Sequence, residues 1–427
     1  MTVTITGARV IDPASGVDEI TDLYIADGQL VGIGSAPAGF ESDTRIDAQG
    51  LVAAPGLVDL SVSLREPGYT RKGTIASETL AAAAGGVTSL CCPPRTKPVL
   101  DTPAVAELIL DRAQQAGICK VFPIGALTRK LEGEQLAELM ALKEAGCVAF
   151  GNGLAPMANN RILRYALEYA ATFDLTVVFH CQDSALASGG VTHEGPTANL
   201  LGLAGIPESA ETLALASQLI LVEQSGVRAH FSQLTCARSV AMLAEAQQRG
   251  LPVSADVALY QLLLTDEALK GYSSLYHVQP PLRSARDRDA LRQGVCDGVI
   301  QAIASHHQPH EADAKEAPFA ATEPGIASVE LLLPLALTLV ADGLLSLPQL
   351  LGRLSQGPAE ALGLPVGRLA IGQAADIVLF DPEGQTLAGE RWLSKGANCP
   401  FLGQQLPGRV HCTLVNGQPV HTPANPA

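Results

Sequence analysis

The chain has 427 residues, of which 47% are hydrophobic and 17% are charged. This composition can bury a large core and therefore excludes wholesale disorder. Lysine and arginine number 28 and aspartate and glutamate 43, a net charge of −15 that argues against nucleic acid or an anionic membrane as a partner. No apolar stretch approaches the ~20 residues that a membrane span needs. The first residues resemble a β-strand rather than a signal peptide, and we expect a cytoplasmic protein.

Short β-type runs begin the chain and recur at its end. Residues 3–5, 8–11, 22–25 and 30–33 lie at the start, with Asp27-Gly28 as a hairpin signal. Residues 375–380 and 410–415 lie at the end, with Asn416-Gly417 as a second hairpin signal. Both ends are therefore predicted to pack together as one small β domain, built from residues 1–53 and 365–427. The Pro-rich residues 419–427 predict a loose tail.

The middle of the chain alternates between buried-strand and amphipathic-helix patterns. Eight apolar runs are predicted as strands: 57–62, 88–92, 120–124, 147–151, 175–180, 228–232, 252–256 and 299–305. Helical patterns separate most of them: 105–116, 133–145, 160–171, 208–224 and 238–249. Continuously apolar strands followed by helices are typical of a parallel sheet covered by helices. Eight such units predict an α/β fold, a (β/α)8 TIM barrel over residues 54–364.

Several longer motifs carry a family resemblance. They are Ala-Pro-Gly-Leu-Val-Asp-Leu at 54–60, Leu-Arg-Glu-Pro-Gly at 64–68, the Ala- and Gly-rich stretch 81–88, Val-Gln-Pro-Pro-Leu-Arg at 278–283, and Ser-Lys-Gly-Ala-Asn-Cys-Pro-Phe at 394–401. In these stretches the chain resembles the dihydroorotases of the amidohydrolase superfamily. The resemblance implies a metal-binding barrel with a small β-sandwich domain formed by both termini.

The family's chemistry rests on divalent metal ions that activate a water molecule, held by histidine and carboxylate ligands. Four of its ligand positions are changed in this chain. The His-x-His after the first barrel strand is Ser61 and Ser63, and the bridging carboxylate or carboxylated lysine after the fourth is replaced by Asn152-Gly153. The aspartate after the eighth strand is His306. Hydroxyl and amide groups are poor zinc ligands, so the resemblance predicts that zinc is lost and that no metal or other cofactor is bound.

Two of the family's ligands are retained, His180 and His230. We interpret them as a vestigial metal site, in which both are hydrogen-bonded core histidines. The open alternative is a new mononuclear site that combines them with His306 and either Asp183 or Asp256.

The family grips its substrate's carboxylate with an arginine and an asparagine. Arg65 keeps the first position, and Arg95 replaces the asparagine. Both are candidates for anion binding. Alternatively, Arg65 forms an ion pair with Glu66 at the barrel mouth, and Arg95 lies on the surface or in an interface.

The intact scaffold motifs and altered ligand positions together predict a pseudoenzyme. The resemblance extends to the non-catalytic dihydroorotase-like chain that some bacteria assemble with aspartate carbamoyltransferase. It implies a structural subunit required for assembly and activity of that enzyme in pyrimidine biosynthesis, in a complex of six transferase catalytic chains and six of these chains. Two alternatives stay open: an active amidohydrolase with an altered mononuclear metal site that hydrolyses a cyclic amide, and a module that binds an anionic metabolite without turnover.

Overall fold

A computed structural model describes residues 1–157 and 159–422. Its first strands are β1 (Thr2–Asp12), β2 (Val17–Ala26), β3 (Gln29–Ile33), β4 (Thr44–Asp47) and β5 (Val52–Pro55). The predicted turn joins β2 to β3 as an antiparallel hairpin. Asp27 and Gly28 have φ angles of 50° and 79°, the left-handed conformation that a tight hairpin turn requires.

The barrel segment contains all eight predicted strands, within a few residues of their expected bounds. They and one short strand pair are β6 (Leu57–Asp59), β7 (Val87–Cys92), β8 (Lys120–Ala126), β9 (Ala149–Gly151), β10 (Thr176–His180), β11 (Thr192–His193), β12 (Gly205–Ile206), β13 (Arg228–Ser232), β14 (Val253–Ala258) and β15 (Ala302–Ala304). β11 and β12 pair only with each other, and the other eight form one parallel sheet in the order in which they follow along the chain.

Helices cover the outside of this sheet. They are α1 (Ile75–Ala84), α2 (Pro103–Ala116), α3 (Leu139–Glu144), α4 (Asn160–Thr172), α5 (Pro196–Leu201), α6 (Glu208–Ser225), α7 (Ala237–Gln248), α8 (Leu259–Leu263), α9 (Ala285–Cys296), α10 (Leu332–Ala341), α11 (Leu347–Leu354) and α12 (Gln356–Leu362). In the described part of the chain, none of them is both long and apolar enough to cross a lipid bilayer.

The sheet closes into a barrel just beyond the ends of β6 and β15. There Val62 and His307 form a parallel bridge. The backbone N–H of Ser63 donates to the His307 carbonyl at 2.9 Å, and the N–H of His307 donates to the Ser61 carbonyl at 3.1 Å. The prediction of an α/β TIM barrel is confirmed.

The last strands complete the domain that β1–β5 begin. They are β16 (Ile377–Leu387), β17 (Gln405–Val415) and β18 (Gln418–His421). The mixed sheet runs β18-β17-β16-β5-β1-β2-β3, with β4 beside β1. A separate apolar core joins both chain ends, with Val3, Ile5 and Leu23 packed in one cluster with Ile377 and Leu414. The second hairpin signal is also confirmed, because Asn416 and Gly417 link β17 to β18 with φ angles of 47° and 68°.

Two local predictions need correction. The helix predicted over 133–145 begins only at Leu139. Gly133 has a φ of 74°, and the residues around it form a hairpin in which Arg129 N–H donates to the Gln135 carbonyl at 2.8 Å. The tail predicted over 419–427 is wrong at its start, which lies in β18, and residues 423–427 lie outside the described part of the chain.

Candidate functional site

A cavity of about 60 Å³ lies at the carboxyl ends of the barrel strands. This is where the barrel architecture places functional residues. Its apolar walls include Ile124, Val178 and Phe179. Its polar lining comes from the ends of several strands: Ser61, Ser63, Arg95, His180, Ser232, Gln233, His306 and Gln308. The structure therefore brings together most of the residues that the sequence singled out.

Asp256, at the centre of β14, connects two of the candidate histidines. Its Oδ1 lies 2.6 Å from Nε2 of His306, and its Oδ2 lies 2.9 Å from Nε2 of His230. Nδ1 of His230 in turn lies 2.8 Å from the Ser254 hydroxyl, and the backbone N–H of Gln233 donates to Asp256 Oδ1 at 2.8 Å. All three members of the His230–Asp256–His306 triad are buried.

The charge on Asp256 fixes the tautomers of its partners. Burial opposes ionisation, but the proximity of His306 and the hydrogen bonds from both histidines outweigh it and hold the pKa of Asp256 well below its usual range. An ionised carboxylate only accepts hydrogen bonds, so His230 and His306 each carry a proton on Nε2. In this arrangement Nε2 of each ring is held by the carboxylate. The triad is thus a closed hydrogen-bonding unit.

His180 is neutral and bonded to a neighbouring amide. Its Nε2 lies 3.2 Å from Oε1 of Gln182, which also accepts a hydrogen bond from Nε2 of Gln279 at 3.2 Å. Burial lowers the pKa of His180 to about 4, so the ring is uncharged at neutral pH.

Asn152 turns away from the cavity, although its position in the sequence matches the family's bridging ligand. Its Oδ1 accepts the backbone N–H of Thr128 at 3.1 Å, and its Nδ2 donates to the Thr128 hydroxyl at 2.8 Å. Asn152 therefore ties the end of β9 to the loop after β8. Its neighbour Gly153 lines the cavity instead, where a Cβ would lie only 3.1 Å from the aliphatic stem of Arg95.

These donor groups do not fit the family's metal centre. Ser61 and Ser63 supply hydroxyls, and the Nε2 atoms of His180, His230 and His306 are all held in hydrogen bonds. Within residues 1–157 and 159–422, no group of three or more His, Cys, Asp or Glu side chains is arranged to hold a metal ion. The alternative of a mononuclear site was that Asp256, His230 and His306 bind one metal ion together. In this structure the Asp256 carboxylate instead forms hydrogen bonds with both histidines.

Arg65 lies beside the cavity rather than in its lining. Its Nε donates to the Pro309 carbonyl at 3.0 Å, and its Nη2 lies 3.1 Å from Nε2 of His310. Burial and then the charge of Arg95 lower the pKa of Arg65 to about 10. Arg95 itself is exposed and lines the cavity mouth. The charge of Arg95 thus opposes that of Arg65, and the carboxylates of Glu323 and Glu311 offset part of this repulsion.

The alternative prediction of an Arg65–Glu66 ion pair is wrong. Glu66 instead pairs with Arg112 on α2 and accepts the backbone N–H of Ile75, the first residue of α1, at 2.9 Å. A carboxylate at the start of a helix is favourable because unpaired N–H groups and the helix dipole meet there.

Sequence reasoning missed a buried polar cluster behind the cavity. Glu78 on α1 lies 2.7 Å from Nε2 of His307 and accepts the Ser394 hydroxyl at 2.6 Å. Burial raises the pKa of Glu78, but the contacts with His307 and Ser394 outweigh this effect, so that its pKa lies below the usual value. Asn398 adds bonds from Nδ2 to the carbonyls of Gln308 and Gly325, both at 2.9 Å. The motif at 394–401 was the available signal, and its role is to fix the loop after β15.

Comparisons with known proteins agree with this architecture. The model of the dihydro-orotase-like family matches residues 50–239, and that of an amidohydrolase family matches residues 338–421. A dihydroorotase-like protein of Pseudomonas aeruginosa is 72% identical over 99% of this chain and 100% of its own length. The chain belongs to the dihydroorotase-like amidohydrolases. A dihydroorotase-like protein of Pseudomonas putida is 69% identical over similar shares, and a protein of Geobacter sp. strain M21 named dihydroorotase is 42% identical over 99% of both chains.

Solved structures place this dihydroorotase-like chain among a wider set of barrels. An L-hydantoinase from Arthrobacter aurescens superposes with a TM-score of 0.87 over 100% of this chain and 97% of its own, at 24% identity. A dihydropyrimidinase from Brevibacillus agri superposes with a TM-score of 0.83 over 99% and 95% of the two chains, also at 24% identity. Structural similarity at this level of sequence identity establishes the fold but not the function.

Proposed function

We propose that this dihydroorotase homologue is catalytically inactive and serves as a structural subunit of aspartate carbamoyltransferase in pyrimidine biosynthesis. The observation that carries the first half of the proposal is the His230–Asp256–His306 triad. Where the family places metal ligands, this chain has a closed hydrogen-bonding unit, two serines and an asparagine that faces Thr128.

The second half of the proposal concerns the partner. The buried polar cluster supports selection for the fold, because Glu78, Ser394 and Asn398 fix the loop after β15 although four of the family's ligand positions are changed. A chain kept for its surface rather than its chemistry needs a partner. We assign that partner as the transferase catalytic chain, in a complex of six of each, on the family resemblance.

Reconstitution tests this proposal. The transferase catalytic chain from the same organism is assayed alone and with this chain, while light scattering follows the mass of the mixture. We expect transferase activity only in a large complex of both chains. Dihydroorotate hydrolysis is assayed in parallel with added zinc or manganese, and we expect none. A transferase that is fully active and assembled alone would exclude the structural role, and metal-dependent hydrolysis would exclude inactivity.

A second candidate is an active cyclic-amide hydrolase with an altered mononuclear metal site. It is favoured by relatives named dihydroorotase, such as the Geobacter protein at 42% identity and one of Syntrophobacter fumaroxidans at 44% over 96% of this chain. Metal content discriminates between the candidates. Close to one equivalent of zinc, manganese, iron, cobalt or nickel in protein purified without chelator, with activity abolished by a chelator, would favour the hydrolase.

A further inference from the structure

A second cavity lies where the barrel meets the β domain. Its volume is about 220 Å³, and it shares no lining residue with the cavity at the carboxyl ends of the barrel strands. One wall comes from α1, the turn before α10 and α10 itself, and the other from β16, β17 and β18. We call it the junction cavity, and its lining includes Leu80, Glu330, Pro334, Leu387, Val410 and His421.

The inner part of the junction cavity is apolar except for one carboxyl group. Leu331, Pro334 and Val410 are buried and form its wall. Glu330 is only 8% exposed, yet its side chain also lines the cavity. A buried carboxylate is stable only where partners replace the water that it has lost.

The partners of Glu330 satisfy only half of its carboxylate. Oε2 accepts the backbone N–H groups of Leu393 at 2.9 Å and Ser394 at 3.3 Å. Within residues 1–157 and 159–422, no group donates to Oε1 and no cation pairs with this carboxylate. Burial, and then the negative charge of Glu78, raise the pKa of Glu330 to about 7 in spite of the two backbone bonds. Since the side chain lines the cavity, a donor for Oε1 can come from a molecule inside it.

The mouth of the cavity has a different charge. Arg391 and Arg409 are exposed residues of its lining, beside Glu390 and the half-buried His421. Burial, and then the charge of Arg391, lower the pKa of His421, so this ring is neutral at neutral pH. A molecule that enters the cavity thus passes two arginines before it reaches Glu330.

A small amine with an apolar body matches these features. Its ammonium group donates to Oε1 with opposite charge, and such hydrogen bonds are about twice as strong as neutral ones. Its methylene groups cover Leu331, Pro334 and Val410, which removes apolar surface from water. Pockets for drug-sized ligands measure about 300–1,000 Å³, so this cavity suits a smaller molecule. The arginines at the mouth disfavour a second positive charge.

We infer that the junction cavity binds a small organic ammonium ion whose nitrogen pairs with Glu330. The other oxygen of this carboxylate connects the site to the barrel. It holds Ser394, whose hydroxyl donates to Glu78, and Glu78 in turn holds His307 after β15. The inference goes beyond the proposed function and does not depend on it, because the cavity is separate from the changed ligand positions and from any partner.

The first test is a titration of the full chain with pentylamine at pH 8, with 1-pentanol as the uncharged control. The only tryptophan, Trp392, stands between two lining residues, so its fluorescence reports binding, and calorimetry verifies it. We expect saturable binding of the amine and binding of the alcohol that is about tenfold weaker or less. Glu330→Gln should weaken amine binding about tenfold or more. The matched control Glu390→Gln removes the same charge from the exposed mouth and should change binding by about twofold at most.

The second test uses pH. The charged and titratable groups around Glu330 are Glu78 on α1, Glu390 and Arg391 in the loop after β16, Arg409 on β17 and His421 on β18. We expect the native chain to bind pentylamine about tenfold more weakly at pH 6 than at pH 8, because fewer of its Glu330 carboxyl groups are ionised. Protonation of His421 repels the amine equally in Glu330→Gln, so the difference between the two chains reports on Glu330.

The third test fills the cavity and keeps its carboxylate. Ala84 lines the cavity at the end of α1 and is half-buried. We expect Ala84→Phe to abolish pentylamine binding, with circular dichroism to verify the fold. The inference would be overturned by a native chain that does not bind the amine, by equal binding to Glu330→Gln, or by unchanged binding to a folded Ala84→Phe chain. None of these results bears on the reconstitution with the transferase, so the inference and the proposed function fail separately.

Discussion

Nε2 of His306 lies 2.6 Å from Oδ1 of Asp256, although the two residues are fifty positions apart in the sequence. The family resemblance implies a metal-binding aspartate at this position, whereas this chain has an imidazole there, beside a buried carboxylate. The same carboxylate already holds His230. The imidazole of His306 thus satisfies a buried protein carboxylate, and this contact stabilises the fold whether or not the chain is catalytic.

The triad should contribute strongly to stability. Asp256→Ala leaves the N–H groups of His230 and His306 unpaired in a fully buried place. We expect the free energy of unfolding to fall by about 3–5 kcal/mol, measured by urea denaturation followed by circular dichroism. Asp289→Ala removes a carboxylate whose side chain is 61% exposed and serves as the control, with a change of about 0.5 kcal/mol or less. A loss below about 1 kcal/mol for the Asp256 variant would contradict the closed unit described above.

Glu330 should make stability depend on pH in an identifiable direction. Its carboxylate accepts the backbone N–H of Leu393 at 2.9 Å, and burial raises its pKa from 4.5 to about 7. The folded state then binds more protons than the unfolded state between these values, so this group's contribution to stability falls as pH rises from 4.5 to 7. Glu330→Gln keeps an acceptor oxygen and has no charge. It should match the native chain in stability at pH 4.5 and exceed it at pH 8 by about 2–3 kcal/mol. Equal differences at both pH values would rule out this ionisation.

Restoring the first two family ligands should not restore hydrolysis. In Ser61→His with Ser63→His, two imidazoles enter the cavity, but Asn152 still faces Thr128 and the triad still occupies His230 and His306. We expect no measurable turnover of dihydroorotate with added zinc. An active dihydroorotase assayed under the same conditions verifies the assay. Appreciable turnover in the double variant would mean that the triad opens to a metal.

The remaining family histidine should be dispensable for the proposed subunit role. The ring of His180 contacts Gln182 at 3.2 Å inside the cavity. We expect His180→Ala to leave the transferase activity of the reconstituted complex near that of the native chain, apart from any loss of thermal stability. A collapse of transferase activity in a correctly assembled complex would show that the cavity communicates with the partner's active site.

The barrel strands were predictable because each is a short apolar run buried on both faces, and such runs stand out locally. The overpredicted helix at 133–145 failed because Gly133 takes a left-handed conformation, which an amphipathic pattern does not reveal. At the site, the residue types at 61, 63, 152 and 306 were readable from the family's motifs.

The hydrogen-bonding partners of the site residues could not be predicted from the sequence. Asp256 joins side chains that lie 26 and 50 residues away along the chain, and the side-chain direction of Asn152 depends on a bond to Thr128 at a separation of 24. For Arg65 the sequence offered an ion pair with its neighbour Glu66 as one alternative, whereas its contacts are with Pro309 and His310, at separations of 244 and 245. Long-range pairing of polar groups is set by tertiary packing, on which local pattern gives no information.

Barrel closure depends on the same segment that lost the family's ligands, yet only on its main chain. The Ser61 carbonyl and the Ser63 N–H complete the ladder with His307, whatever side chains residues 61 and 63 carry. Substitutions of these two side chains thus leave the closing main-chain hydrogen bonds in place. Under the proposed function, in which hydrolysis is not required, drift at these positions would meet no resistance from folding, and each single substitution would leave a well-formed barrel.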